Sequence, residues 1–243
     1  MKTDIIKYMD ENLVGMKEAK HFLHNVVLNA EYAKKTGELC KFPRLIVLIG
    51  NPGTGKTSFA RYLAEIYKEC GFLSTSEMVC PNINLTYFEC CEQFRRDAEI
   101  AQKNGAMLFL DDYNVEKDLL NSILEFLDNS IVLCISLYPR EAEKLFVINE
   151  GFRAHSCIIT FDDYSVDEKM EIFKREMEKN NISADEDVLC VLRELFLIDS
   201  GNARTAIQYF YRMNSNRIER CIKNGILDEE SKKFKVEDVY TLK

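Results

Sequence analysis

Leu45-Ile-Val-Leu-Ile49 followed by Gly50-Asn-Pro-Gly-Thr-Gly-Lys-Thr57 is the stretch from which the fold of this chain can be read. The first five residues form an uninterrupted apolar run, the pattern of a strand buried on both faces. The next eight fit the phosphate-loop pattern G-x-x-x-x-G-K-[ST]. Beyond them Phe59, Tyr62, Leu63, Ile66 and Tyr67 recur at helical spacing, and Gly71 stands where a helix C-cap belongs. Strand, glycine loop and helix N-terminus together make an anion site. Glycines let backbone N–H groups converge on phosphate oxygens, and the helix dipole adds positive potential there. The expected ligand is a nucleoside triphosphate, with Lys56 reaching its outer phosphates and the Thr57 hydroxyl ligating Mg²⁺. Gly50, Asn51, Pro52, Gly53, Thr54, Gly55, Lys56, Thr57 and the adjoining Ser58 are therefore the candidate nucleotide-binding residues.

Bulk properties limit the alternatives. A chain of 243 residues has room for one large core plus a small appended domain. Its 47% hydrophobic and 30% charged content is that of a soluble globular protein. No apolar run approaches a membrane span and Met-Lys-Thr-Asp-Ile-Ile lacks a secretion signal, so a cytoplasmic protein is expected. The nine cysteines include no C-x-x-C pair, and with His21, His24 and His155 they complete no zinc spacing. They are expected as small buried hydrophobes, with a thiol-disulfide role as the alternative for the vicinal Cys90-Cys91. A net charge of −8 argues against nucleic acid as the partner. Lys232, Lys233 and Lys235, and Arg212, Arg217 and Arg220, are read as solvated faces.

The apolar pattern alternates between helix and strand periods, as in an α/β domain built on a parallel sheet. A helix with Ala19, Phe22, Leu23, Val26, Val27, Ala30 and Ala33 on one face precedes the phosphate-loop strand. Strands are then expected at 77–80, 106–110, 131–135 and 157–161. Helices are expected around Phe94, Ala98 and Ala101, and through Leu119, Leu120, Ile123, Leu124 and Leu127. After residue 164 everything is helical in period: 166–180, opened by the capping box Ser165-Val-Asp-Glu168, then 185–197 and 203–223. The expected architecture is a P-loop αβα sandwich over residues 1–164 and an all-helical lid over 165–243.

A second acidic site narrows the class. Leu108-Phe-Leu-Asp-Asp112 is an apolar strand delivering carboxylates at its C-terminal end, on the edge where the phosphate loop lies. Asp111 is expected to reach Mg²⁺ through water and Asp112 to orient the attacking water. With these residues in hand the chain resembles the AAA+ ATPases, and within them the family of the red-type rubisco activase CbbX and stage V sporulation protein K. The likeness runs from Leu13-Val-Gly15 through the phosphate loop to Asn149-Glu-Gly-Phe-Arg153, Phe161-Asp-Asp-Tyr-Ser165 and Gly201-Asn-Ala-Arg204. The resemblance implies an adenine-proximal segment at Leu13 and Val14, a sensor-1 position around Ser136 to Tyr138, and a sensor-2 arginine at Arg204. It further implies ATP and Mg²⁺ as cofactors, ring assembly as a homo- or hetero-oligomer, and a protein client that no residue names.

The chain departs from that family in three places. Asp112 stands where the family has Glu, one methylene longer; a shift of about 1 Å can cost roughly a hundredfold in rate. Phe152-Arg-Ala-His155 stands where the family reads Phe-Arg-Ser-Arg, so the second arginine, the expected finger, is His155 and Arg153 is the substitute candidate. A finger is worth about 10³–10⁵ in rate. Leu85-Thr-Tyr-Phe-Glu89 occupies the pore-loop region without its glycines, and Tyr87 and Phe88 are read as core, with a pore loop as the alternative. Two functions follow: an ATPase that remodels a protein in an oligomeric ring, or a nucleotide-gated regulatory module with little hydrolysis.

Overall fold

The computed structural model describes residues 2–81, 87–111 and 131–240, with side chains over the same stretches apart from 2–5, 87–91 and 240. The expected helix at residues 119–127, Asp112 and Leu85 lie outside the described residues, as do the side chains of Tyr87, Phe88, Cys90 and Cys91. The chain divides into two compact units, Met1–Asp162 and Asp163–Lys243.

The first unit holds helices α1 (Lys2–Asn12), α2 (Lys17–Thr36), α3 (Lys56–Cys70), α4 (Tyr87–Asn104), α5 (Pro139–Ile148) and α6 (Glu150–His155). Its strands are β1 (Leu45–Gly50), β2 (Met78–Val79), β3 (Met107–Leu110), β4 (Val132–Leu137) and β5 (Cys157–Phe161). All neighbours are parallel, in the order β2-β3-β4-β1-β5, so every strand ends on the same edge. The apolar runs become strands because both faces are covered. Ile46, Leu48, Met107, Phe109, Val132 and Cys134 pack with α1–α3. Leu45, Val47, Leu108, Leu110, Leu133 and Ile135 pack with α4–α6. The two-residue alternation of a strand thus makes the sandwich from continuous apolar sequence.

That alternation also aims the polar residues at the strand ends. Asp111 continues the register of Met107 and Phe109, and Ser136 that of Val132 and Cys134, so both face the side on which α3 lies. Strand β4 runs two residues beyond the expected 131–135, because Ser136 and Leu137 still pair with Leu48 and Ile49 of β1.

In the second unit α7 (Val166–Lys179), α8 (Glu186–Ile198) and α9 (Ala203–Asn224) surround Phe173, Phe196, Phe210 and Phe234. The Ser165–Glu168 capping box forms as expected. The buried Lys169 donates to the carbonyls of Phe196 and Asp199, closing the C-terminal end of α8. The unit is not wholly helical: Ser183–Ala184 (β6) pairs in parallel with Lys233–Phe234 (β7), ahead of the short helix α10 (Val236–Tyr240). Two-residue strands carry no periodicity, so only pairing reveals them. Arg217 and Arg220 are not a solvated face. Arg220 binds both carboxylate oxygens of the buried Asp238, and Arg217 donates to the Ser231 carbonyl. Lys233 pairs with Asp185 and Lys232 with Glu229. Cys70, Cys134 and Cys221 are buried as expected, whereas Cys80 and Cys190 are exposed.

Candidate functional site

Gly50 ends β1 opposite Phe161, and a Cβ there would lie 2.7 Å from the Phe161 Cβ and 2.9 Å from the Thr54 Oγ1. Only a residue without a side chain lets the loop turn this close to β5. Gly53 and Gly55 then take φ of 75° and 93°, the left-handed region that brings successive N–H groups to one side. Buried Thr54 donates its hydroxyl to the Asn51 carbonyl at 2.8 Å, so its side chain tightens the loop from within. Pro52 and Ser58 are exposed.

Lys56 opens α3, is only 6% exposed, and folds back along the loop. Its Nζ donates to the carbonyls of Gly50 (2.8 Å) and Asn51 (3.1 Å) and stands 4.8 Å from the centroid of the Tyr138 ring. Carbonyl oxygens and a π face offset the desolvation of this buried cation. One turn-position on, the Thr57 hydroxyl donates to Asp111 Oδ2 at 2.8 Å. The other oxygen, Oδ1, accepts from Ser136 at 2.6 Å, and Ser136 is fully buried. Residues 54 and 25 positions from Asp111 in sequence therefore meet on one carboxylate.

The thiols beside this carboxylate remain protonated. Burial pushes the Cys134 thiol well up, and the Asp111 charge pushes it further. Burial and then Asp111 also raise Cys80, against a smaller opposing effect of Arg61. They add no negative charge to the site. A hydroxyl and a carboxylate side by side are hard oxygen donors, which fits Mg²⁺, an ion that completes its shell with water and phosphate oxygens. Among the described residues no group of three or more His, Cys, Asp or Glu is placed to hold a metal.

The remaining sequence candidates stand on other elements. Leu13 is buried in the apolar layer of α1–α3, with Val14 half-buried beside it, and Gly15 and Met16 turn the chain through φ of 65° and 52° into α2. Arg153 is exposed on α6 with its guanidinium 5.6 Å from the Phe146 ring centroid, and His155 is exposed two residues on. Arg204 is exposed in the first turn of α9, in the second unit. Two side chains make contacts that the sequence alone did not indicate. The Tyr138 ring, rather than its hydroxyl, faces Lys56; Tyr138 sharing a strand face with Ser136 was the available clue. Asn202 is 5% exposed and accepts from the Tyr164 N–H at 2.8 Å while donating to Asp163 at 2.7 Å.

A family model, AAA domain (dynein-related subfamily), matches residues 45–160, which span all five strands from β1 to the end of β5 but for Phe161. Stage V sporulation protein K of Bacillus subtilis is 27% identical over 91% of this chain and 76% of its own length. The chain resembles the AAA+ proteins of the CbbX and stage V sporulation protein K type. Protein CbbX of Cereibacter sphaeroides is 26% identical, over 78% of this chain and 68% of the relative. Protein CfxQ of Xanthobacter flavus is 27% identical over 70% of this chain and 60% of its own length. Among solved structures, a RuvB variant from Thermotoga maritima superposes with a TM-score of 0.64 at 17% identity, covering 95% of this chain and 70% of that one. At that identity the likeness speaks for the AAA+ fold alone.

Proposed function

We propose that this chain binds Mg-ATP and hydrolyses it to remodel a protein partner within an oligomeric ring, in the cytoplasm. One observation carries the reading: the phosphate-loop lysine, the Thr57 hydroxyl and the Asp111 carboxylate converge where β1, β3 and β4 end. In it, the loop N–H groups and Lys56 bind the phosphates. Thr57 and Asp111 would hold Mg²⁺, which would supply positive charge against the outer phosphates. Asp112 orients the attacking water, Arg153 serves as the finger toward a neighbouring subunit, and Arg204 supplies a cation from the lid. Leu13 and Val14 border the adenine.

The second reading is a nucleotide-gated regulatory module. It is favoured by two residues: Asp112, one methylene short of glutamate, and His155 at the second position of the finger stretch. Rate of phosphate release against protein concentration separates the two. A ring motor gives specific activity that rises with assembly and vanishes in Lys56→Ala and Asp112→Asn. Tight ATP binding with flat, negligible turnover at every concentration would leave the regulatory module. A nucleic-acid motor is disfavoured by the net charge of −8.

A further inference from the structure

We propose that a cleft at the edge of the sheet opposite the phosphate loop is a binding site for a small aromatic carboxylate. The cleft holds about 230 Å³ between α2, the segment that leads into β1, and Phe72 just past the end of α3. One strand length, about 17 Å, separates it from the phosphate loop at the other end of β1. The site does not depend on the nucleotide reading.

Its walls are rings held from behind. Phe42 and Phe72 stack with centroids 3.8 Å apart and planes at 17°. The buried Tyr67 of α3 meets both edge-on, at 5.4 and 5.5 Å. The Tyr67 hydroxyl also donates to the Pro43 carbonyl at 2.9 Å, which ties the segment before β1 to α3. Pro43 in turn favours extended backbone at Phe42. Phe22 of α2 adds a third ring, and all three phenylalanines are half-buried rather than closed into the core. Walls fixed in advance spare the ligand the cost of ordering them.

The rim is polar. Phe22, Asn25, Val26 and Asn29 follow the i, i+3, i+4, i+7 spacing of one helix face, so α2 brings two carboxamides to the opening where a wholly apolar stripe would have sealed it. Among the described residues Lys41 is the one charged side chain lining the cleft, and neither it nor the Asn29 carboxamide has an ion-pair or hydrogen-bond partner. The Arg44 guanidinium, 5.7 Å from the Phe42 ring centroid, adds a second positive charge beside that ring. Aromatic walls select a ring, and an ammonium flanked by carboxamides selects a carboxylate. An apolar cavity of about 150 Å³ takes benzene, so this one has room for a phenyl ring and a short link, with the carboxylate at the rim.

Phenylpropionate is the probe, titrated into the full chain by calorimetry. A dissociation constant of about 0.1–1 mM is expected for a ligand of this size. Lys41→Met weakens it about threefold to fivefold. Phenylpropionamide binds the parent that weakly and is indifferent to the same substitution. Cyclohexylpropionate, with its ring saturated, loses about twofold to tenfold. Asn29→Trp fills the opening from an exposed helix position and abolishes binding; Asn25→Trp takes its place if melts show the first unfolded. Iodoacetamide labelling gives the location: the acid slows alkylation of Cys40, which lines the cleft, and leaves the exposed Cys190 unchanged. No binding below about 10 mM, an acid no tighter than its amide or its saturated analogue, a tryptophan variant that binds like the parent, or an unprotected Cys40 each overturn the proposal. So does a peptide ending in phenylalanine that binds more than about tenfold tighter than the free acid, since the occupant is then a protein terminus. ATP binding, measured separately, bears on the nucleotide reading alone.

Discussion

Replacing Asn202 by alanine tests the part of the second unit that the motif Gly201-Asn-Ala-Arg204 conceals. The substitution removes the acceptor of the Tyr164 N–H and the donor to the Asp163 carboxylate. The first loss strands a donor at a buried residue, which costs about 1–3 kcal/mol. The second is smaller, because Asp163 is exposed and water replaces the lost donor. No capping loss is added: Asn202 is the N-cap residue of α9 but its side chain makes no cap bond. The sum is about 2–3 kcal/mol, which for a chain of this size lowers the calorimetric transition by roughly 4–12 °C. Asn202→Asp keeps the acceptor but sets a second carboxylate beside Asp163, so it falls between parent and alanine. Differential scanning calorimetry supplies the transition, and hydrogen exchange at the Tyr164 amide supplies the site-specific check. A shift under about 1 °C with unchanged Tyr164 protection would refute the reasoning.

Three further outcomes are expected. Gly50→Ala places a Cβ within 2.7–2.9 Å of Phe161 and Thr54; it costs about 1–3 kcal/mol and weakens ATP binding, as a melt and a titration on one sample will record. Asp238→Ala leaves the Arg220 guanidinium without its buried carboxylate partner, with the exposed Glu237 and the Lys233 carbonyl beside it. Chemical denaturation should show a loss near the lower end of about 3–5 kcal/mol, and the double replacement Arg220→Met with Asp238→Leu should recover much of it. The Tyr209 hydroxyl, then the Gly201 N–H, hold the Asp199 carboxyl below its ordinary range. A depressed carboxylate contributes stability above its unfolded value near pH 4 and loses it as the pH falls through the folded value. Burial and Asp199 raise the Tyr209 phenol to about 12, so its contribution is lost on the alkaline side as the pH climbs through that value. Tyr209→Phe should therefore flatten the melting profile at both ends; an unchanged acid limb would count against the Asp199 pairing.

How legible the chain was depends on whether a feature is local. The apolar runs at 45–49 and 106–110 could be read as buried strands because five consecutive apolar residues suit a sheet covered on both faces. The Ser165–Glu168 capping box and the Gly71 C-cap, at φ 83°, were legible because a cap is satisfied within one turn. The β6–β7 pair was not, since two residues on each side carry no period. Arg217 and Arg220 looked like a solvated stripe because their partners, Ser231 and Asp238, lie in a segment that returns only after the helix has ended.

The same division runs through the candidate site. Strand, glycine loop and Lys-Thr helix start are consecutive in the chain, so backbone preference alone specifies the anion cradle and puts Lys56 and Thr57 in it. Which groups complete that cradle is a matter of sheet order. β1 lies beside β4, and β4 beside β3, and that order carries Ser136 and Asp111 to the edge where Thr57 waits. Strand parity then turns both toward α3 and sets the Tyr138 ring against Lys56. Such meetings are long-range and fall to side-chain ends that no local pattern marks. Only the assembled sheet therefore shows Ser136 on the Asp111 carboxylate and Tyr138 on the phosphate-loop lysine.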